Sequence, residues 1–205
     1  MSLWNRLIRW SEWIGRESQP RRRSHQAPRL GVLALEDRVT PSTGDCTGFL
    51  TYSQGGWSGS GTPGQFLDNN FASVFTNGIQ IGDQTAGADS SNNTAGNWAA
   101  KFTTASAVKA YLPNGGGSST LGGDFTNPPN PSGPVNGPGK TLGGQTLTMM
   151  LNVGFDAANP NFDGNSGNDA LGSLIYNATD STSVFNGKTV NQIIGYANSY
   201  LSGAD

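Results

Sequence analysis

Apolar residues return along this chain in short bursts between long polar stretches, and the period within each burst names the element it predicts. Near the N-terminus Leu3, Leu7, Trp10 and Ile14 recur at i, i+4, i+7 and i+11, the period of an amphipathic helix. Trp4 and Ile8 widen that stripe, while Arg6, Arg9 and Arg16 fall largely off it. Further on, Phe49 to Ser53 reads as a short strand and Gln54 to Gly61 as a loop. Thr62-Pro63-Gly64-Gln65 carries a helix start: Thr62 as the cap, Pro63 at the first helical position, and Gln65 reaching back to complete a capping box. The helix it opens runs to about Phe75, with Leu67, Phe71, Val74 and Phe75 on one face. Gly78 to Gly82 and Asn97 to Thr103 predict strands separated by a polar loop, Asp83 to Gly96, and Thr104 to Leu112 predicts a two-turn helix.

From Pro113 to Lys140 the chain is rich in Pro, Gly and Asn, as an extended surface excursion would be. The next burst is ambiguous. Leu147, Met149, Leu151 and Val153 alternate as in a strand, whereas Leu147, Met150, Leu151 and Gly154 fit a helix. The length of the segment and its Met and Leu content favour a buried helix over 146–153. Leu171 to Asn177 is a strand candidate. The last element is the clearest: Thr189-Val190-Asn191-Gln192 has capping-box spacing, Val190, Ile193, Ile194, Ala197 and Leu201 form one stripe, and Gly203 ends it. The sum is an α+β fold: a single domain of three to four helices packed on a small sheet, with long Gly/Pro/Asn-rich loops. Residues 1–43 form a leader outside it, and residues 44–205 form the globular domain.

Charge sharpens that division. Residues 1–40 hold eight arginines against four carboxylates, a net +4, and residues 41–205 hold four lysines and ten aspartates, a net −6. A Trp-bearing basic amphipathic leader suits contact with an anionic membrane surface or with export machinery. It lacks the uninterrupted apolar core of a conventional secretory signal. The run Arg21 to Arg23 has no nucleic-acid recognition motif beside it, and the acidic body argues against a nucleic-acid partner. No run of 18 apolar residues exists to span a membrane as a helix.

The same composition restricts chemistry. The single histidine, His25, lies in the leader, and residues 41–205 contain no His, Glu or Arg. A Ser-His-Asp or Cys-His site and a His-based zinc site are excluded within this chain. Cys46 is the only cysteine, so no internal disulfide can form, though an unpaired thiol can cross-link to a partner. Asp156 to Asp169 is the best ligand candidate. Asp156 and the spacing Asn159-x-Asn161-x-Asp163-Gly164 imitate the start of a calcium loop, and their oxygens suit Ca²⁺. Asn occupies its first position, and Ala170 stands where a bidentate Glu is needed; a solvated turn explains the segment as well. Trp57, set among glycines, with Tyr52 and Trp98, is a candidate contact set for a surface glycan or a protein, or else packs onto the core beneath its loop.

Two stretches resemble known sequences. Arg29-Leu30 followed by Leu33 to Ser42, "LALEDRVTPS", resembles the N-terminal segment of planctomycete-type secreted and surface proteins, in which a basic tract precedes a Leu-Glu-x-Arg core and a proline. Leu35, Glu36, Arg38 and Pro41 match that core, with Asp37 where a related adhesin segment has proline. The resemblance implies export or envelope placement and says nothing of the cargo; a short helix over Leu30 to Arg38 docking on the domain is the structural alternative. The body from Cys46 to Gly203, including "TGFLTYSQGGWSGSG" and "NGKTVNQIIGYAN", resembles an uncharacterised domain of secreted bacterial proteins, which brings no activity with it. The expectation is a non-enzymatic secreted or cell-surface module for adhesion or envelope structure. The alternative is an aspartate-dependent or calcium-assisted polysaccharide hydrolase.

Overall fold

The structure, a computed structural model, describes residues 49–85, 94–129, 137–159, 162, 170–178 and 182–204. The chain divides into two units between Gly44 and Asp45, and the description concerns the second. The amphipathic stripe from Leu3 to Ile14, the export core Leu35, Glu36, Arg38 and Pro41, and Cys46 lie outside the described residues.

The unit is α+β. Its helices are α1 (Gln54–Ser58), α2 (Thr62–Val74), α3 (Ala105–Tyr111), α4 (Lys140–Ala158) and α5 (Val190–Ser202). Its strands are β1 (Ile79–Gly82), β2 (Ala99–Phe102), β3 (Phe125–Thr126), β4 (Ile175–Tyr176) and β5 (Lys188–Thr189). A three-stranded sheet has the order β1-β2-β3, antiparallel between β1 and β2 with Ile79 opposite Phe102, and parallel between β2 and β3. A separate antiparallel ribbon pairs Ile175 with Thr189 and Tyr176 with Lys188.

The long helix α4 organises the core, packing on α1, α2, α5 and β1. The 146–153 segment is helical, within a 19-residue helix that buries Leu147, Leu151 and Phe155. Neighbours approach this helix where it has no side chain. A Cβ at Gly144 would lie 2.3 Å from the Gln54 Oε1, and one at Gly143 would lie 2.3 Å from the Tyr111 hydroxyl. Around Phe155 an aromatic cluster closes the interior. Its ring centroid lies 5.3 Å from Trp57, 5.1 Å from Phe66 and 5.2 Å from Phe75.

Several local expectations are corrected. The short helix α1, Gln54–Ser58, stands where the sequence predicts a loop and joins the four helices that the periodicity predicts. Ser53 caps it, its Oγ accepting from the Gly56 N–H at 3.2 Å, and burial of Trp57 holds a glycine-rich turn that has little helix propensity of its own. Phe49 to Ser53 is not a strand: the Tyr52 N–H and C=O pair with the side chain of Asn152, at 2.9 and 3.0 Å, and not with a neighbouring strand. The cap of α2 is Gly61 and not Thr62, and no side chain caps it; Gln65 turns instead to the Ser60 carbonyl at 3.1 Å. That helix start is shaped by packing against α1, since a Cβ at Gly64 would sit 1.8 Å from the Gly59 carbonyl oxygen. Leu171 to Asn177 is a 3-10 turn over Leu171–Ser173 followed by the two-residue strand β4.

The final helix forms as its sequence predicts. Thr189 Oγ1 accepts from the Gln192 N–H at 3.2 Å, Gln192 Oε1 accepts from the Thr189 N–H at 2.9 Å, and Gly203 closes the helix with φ 79°. Thr189→Ala should lower stability by about 1 kcal/mol while Thr189→Ser keeps most of it. Urea denaturation would show this as a lower midpoint with an unchanged slope. Equal midpoints for wild type and the Ala variant would remove the cap from the account.

Candidate functional site

Aromatic side chains were the first candidates for a contact surface, and the fold places them inside. Trp57 is fully buried on α1, which takes the core-packing alternative over surface contact: its ring stacks parallel to Phe162 and edge-on to Tyr52, with centroids 6.2 and 5.0 Å away. An indole in that position has no free face for a sugar ring. Tyr52 is half-buried beside it and also meets Phe162 at 5.8 Å. Trp98 is placed separately, just before β2. The C-terminal end of α5 closes beneath it through the Trp98 N–H to the Ser202 carbonyl, 3.3 Å, and a Cβ at Gly203 would lie 2.8 Å from its ring. Tyr52 and Trp57 thus come together as core; Trp98 braces a helix end.

The calcium-like segment is placed only in part. Asp156 lies on the last turn of α4, and its Oδ2 accepts from the Leu171 N–H at 2.7 Å, tying the 3-10 turn to the helix end. Asn159 caps α4, its N–H donating to Phe155 and its carbonyl accepting from Phe162. Asn161 and Asp163 lie outside the described residues. The other described aspartates also have structural partners. Asp68 pairs with Lys109 across α2 and α3, Asp83 accepts from the N–H and hydroxyl of Thr85, and Asp124 accepts from the Ala99 N–H at 2.8 Å.

A polar group that sequence inspection passed over lies in the interior. Gln54 Oε1 accepts from the Asn114 N–H at 2.8 Å, and both the Asn114 amide and the Tyr111 hydroxyl donate to the Pro138 carbonyl, at 3.3 and 2.5 Å. Burial pushes the Tyr111 hydroxyl well above its ordinary pKa, and its hydrogen bond with Asn114 offsets part of that rise. This network joins α1, α3 and the segment entering α4. Its members are buried in the fold, so it braces the domain instead of meeting a ligand.

The exposed apolar surface collects elsewhere, at the ribbon and the last helix. Ile175 is 59% exposed, Tyr196 49% and Tyr176 39%. Phe185, just before β5, meets Tyr196 with centroids 6.3 Å apart. Lys188 is the only charged side chain among described residues 170–204. Tyr196 could have been found from sequence, because it lies off the stripe that α5 turns inward. Ile175 and Tyr176 could not, since adjacent apolar residues in a strand predict burial on both faces.

Among the described residues no helix is long and apolar enough to cross a membrane. Compared with protein-family models, curated proteins and solved structures, the chain matches none.

Proposed function

We propose that this chain is an exported, non-enzymatic contact module of the cell envelope, and that it meets its partner with the corner formed by the β4–β5 ribbon and α5. The observation that carries this reading is the placement of the aromatics. Trp57 and its neighbours are taken into the core, while Ile175, Tyr176 and Tyr196 stand exposed on one nearly uncharged segment of an otherwise acidic body. Exposed tyrosines with an apolar neighbour supply rigid contact area to a protein or glycan surface. Residues 41–205 supply no His, Glu or Arg for proton transfer or oxyanion stabilisation, and the described aspartates serve backbone N–H groups, a threonine hydroxyl or Lys109. The basic leader and its resemblance to export segments support the location.

The test is capture of envelope polysaccharide and surface-protein fractions by the full chain, with Tyr196→Ser and Tyr176→Ser as variants. Both positions are exposed, so both variants should melt like wild type and lose most of the captured material. Turnover of a polysaccharide that disappears on Asp156→Asn or Asp163→Asn would instead establish the hydrolase. Capture untouched by both tyrosine variants would move the contact away from this corner.

A further inference from the structure

Four Asn-Gly pairs punctuate the body, at residues 77–78, 114–115, 136–137 and 186–187. In such a pair the side-chain amide carbon of Asn lies within reach of the next backbone nitrogen, and glycine offers no side chain to block the approach. Burial and hydrogen bonding decide which pair reacts. Asn114 is buried; its side-chain amide donates to the Pro138 carbonyl and its N–H to Gln54. Asn186 is exposed but held twice. Its Oδ1 accepts from the Ala178 N–H at 3.0 Å, and the Gly187 N–H donates to the Tyr176 carbonyl at 2.9 Å. Asn77 stands in the turn between α2 and β1, exposed, and its side chain makes no hydrogen bond among the described residues. One tie remains there, from the Gly78 N–H to the Phe75 carbonyl at 2.8 Å. Asn136 lies outside the described residues.

We propose that Asn77 is a site of covalent self-modification, deamidating in the folded protein ahead of Asn114 and Asn186. The Gly78 nitrogen, its proton taken by hydroxide, attacks the Asn77 Cγ. The Cγ–Nδ2 bond breaks, Nδ2 takes a proton from water and leaves as ammonia, and a cyclic imide remains. Water then opens the imide at either carbonyl. Opening at Cγ restores the chain and gives aspartate; opening at the backbone carbonyl gives isoaspartate, in which the chain runs through Cγ. The sum consumes water and releases ammonia. The two products meet the fold differently. Aspartate keeps the backbone and adds a carboxylate just beyond the C-terminal end of α2, where the helix dipole disfavours negative charge. Isoaspartate lengthens the backbone by a methylene immediately before Gly78, which has no slack. The φ of Gly78 is 78°, a Cβ on it would lie 2.5 Å from the Phe102 carbonyl oxygen, and the next residue, Ile79, pairs with Phe102. Isoaspartate therefore pushes on the first rung of the β1–β2 ladder. None of this depends on the contact-module reading.

The full chain, kept native at mildly alkaline pH and sampled over time, tests the site by peptide mapping with mass spectrometry, using fragmentation that separates isoaspartate from aspartate. The Asn77 peptide should gain the mass of amide-to-acid conversion several-fold faster than the peptides of Asn114 and Asn186. In urea the three rates should converge, because unfolding removes the ties that distinguish them. Asn77→Gln should melt like wild type and lose the conversion at this position, since glutamine must close a larger ring. The isoaspartyl fraction should melt below both wild type and Asn77→Asp, which carries the charge without the lengthened chain. The site is overturned if Asn77 stays intact in the native chain, if Asn114 or Asn186 converts as fast, or if Asn77→Gln leaves the mass gain in that peptide. A ranking that persists unchanged in urea would also overturn it, placing the cause in neighbouring sequence and not in the fold. An isoaspartyl fraction that melts like Asn77→Asp would overturn the strain at β1.

Discussion

Trp57→Ala should leave the domain barely folded. The side chain is fully buried among Tyr52, Phe155 and Phe162. Truncating a buried Trp to Ala removes its transfer free energy and leaves a cavity, typically about 3–5 kcal/mol. Against a total stability on the order of 5–15 kcal/mol for a domain, that is a large share. The loss should be concentrated, because Trp57 is also what holds α1 in place. Its helix is five residues long, contains Gly55 and Gly56, and has a single side-chain cap. Trp57→Phe should cost much less. The Trp57 Nε1 is buried without a hydrogen-bond partner, so the substitution removes an unsatisfied donor while it gives up part of the ring. An unsatisfied buried donor costs about 1–3 kcal/mol, which offsets much of the lost packing. Urea denaturation and near-ultraviolet circular dichroism would check the pair. A Trp57→Ala variant with the wild-type midpoint would mean that the indole is not core, and would return it to the candidates for ligand contact.

The features that could be read in advance share a property: their causes are close together in sequence. The box at Thr189 and Gln192, the stripe ending at Leu201 and the stop at Gly203 all act within one helix, and α5 follows them. The helix predicted over Thr104 to Leu112 is α3 for the same reason, and the structure shows Thr104 as its cap. Segment 146–153 carried both periods, and length decided it, because a strand rarely extends over the 19 residues that α4 occupies. What escaped depends on distant partners. The strands β3 and β5 are two residues each and exist only through their pairing, and of the strand candidate Leu171 to Asn177 only the two residues of β4 pair. The α1 helix has poor intrinsic propensity and forms because Trp57 finds Phe155 and Phe162 about a hundred positions later. The candidate surface shows the same limit. Trp57 was open to both surface contact and core packing because glycines surround it in sequence, whereas aromatics surround it in space. Ile175 lies within the strand candidate Leu171 to Asn177, which carries no mark of which side chains stay exposed, and it is 59% exposed.

Asn152→Ala should be nearly as damaging as the tryptophan truncation, for a polar reason instead of an apolar one. The Asn152 side chain, buried on α4, accepts from the Tyr52 N–H and donates to the Tyr52 C=O, doing for that segment what a neighbouring strand would do. Removing it orphans both backbone groups, each at about 1–3 kcal/mol, so a combined loss of about 2–4 kcal/mol is expected once partial rehydration is allowed for. Asn152→Asp separates this account from simple loss of packing. An ionised carboxylate in its place still accepts from the Tyr52 N–H but faces the Tyr52 C=O without a proton to donate. The fold therefore favours the protonated carboxyl, and its pKa should be raised above the unfolded value. A raised pKa means that the folded variant holds its proton more tightly than the unfolded one. Relative to wild type at the same pH, the Asp variant should be most stable at the acid end, below the unfolded pKa, and should lose that stability as pH rises through the folded pKa. Denaturation midpoints of the two proteins across that range would show the gap widening toward neutral pH. A constant gap would mean that the side chain acts by volume alone and that Tyr52 does not depend on its hydrogen bonds.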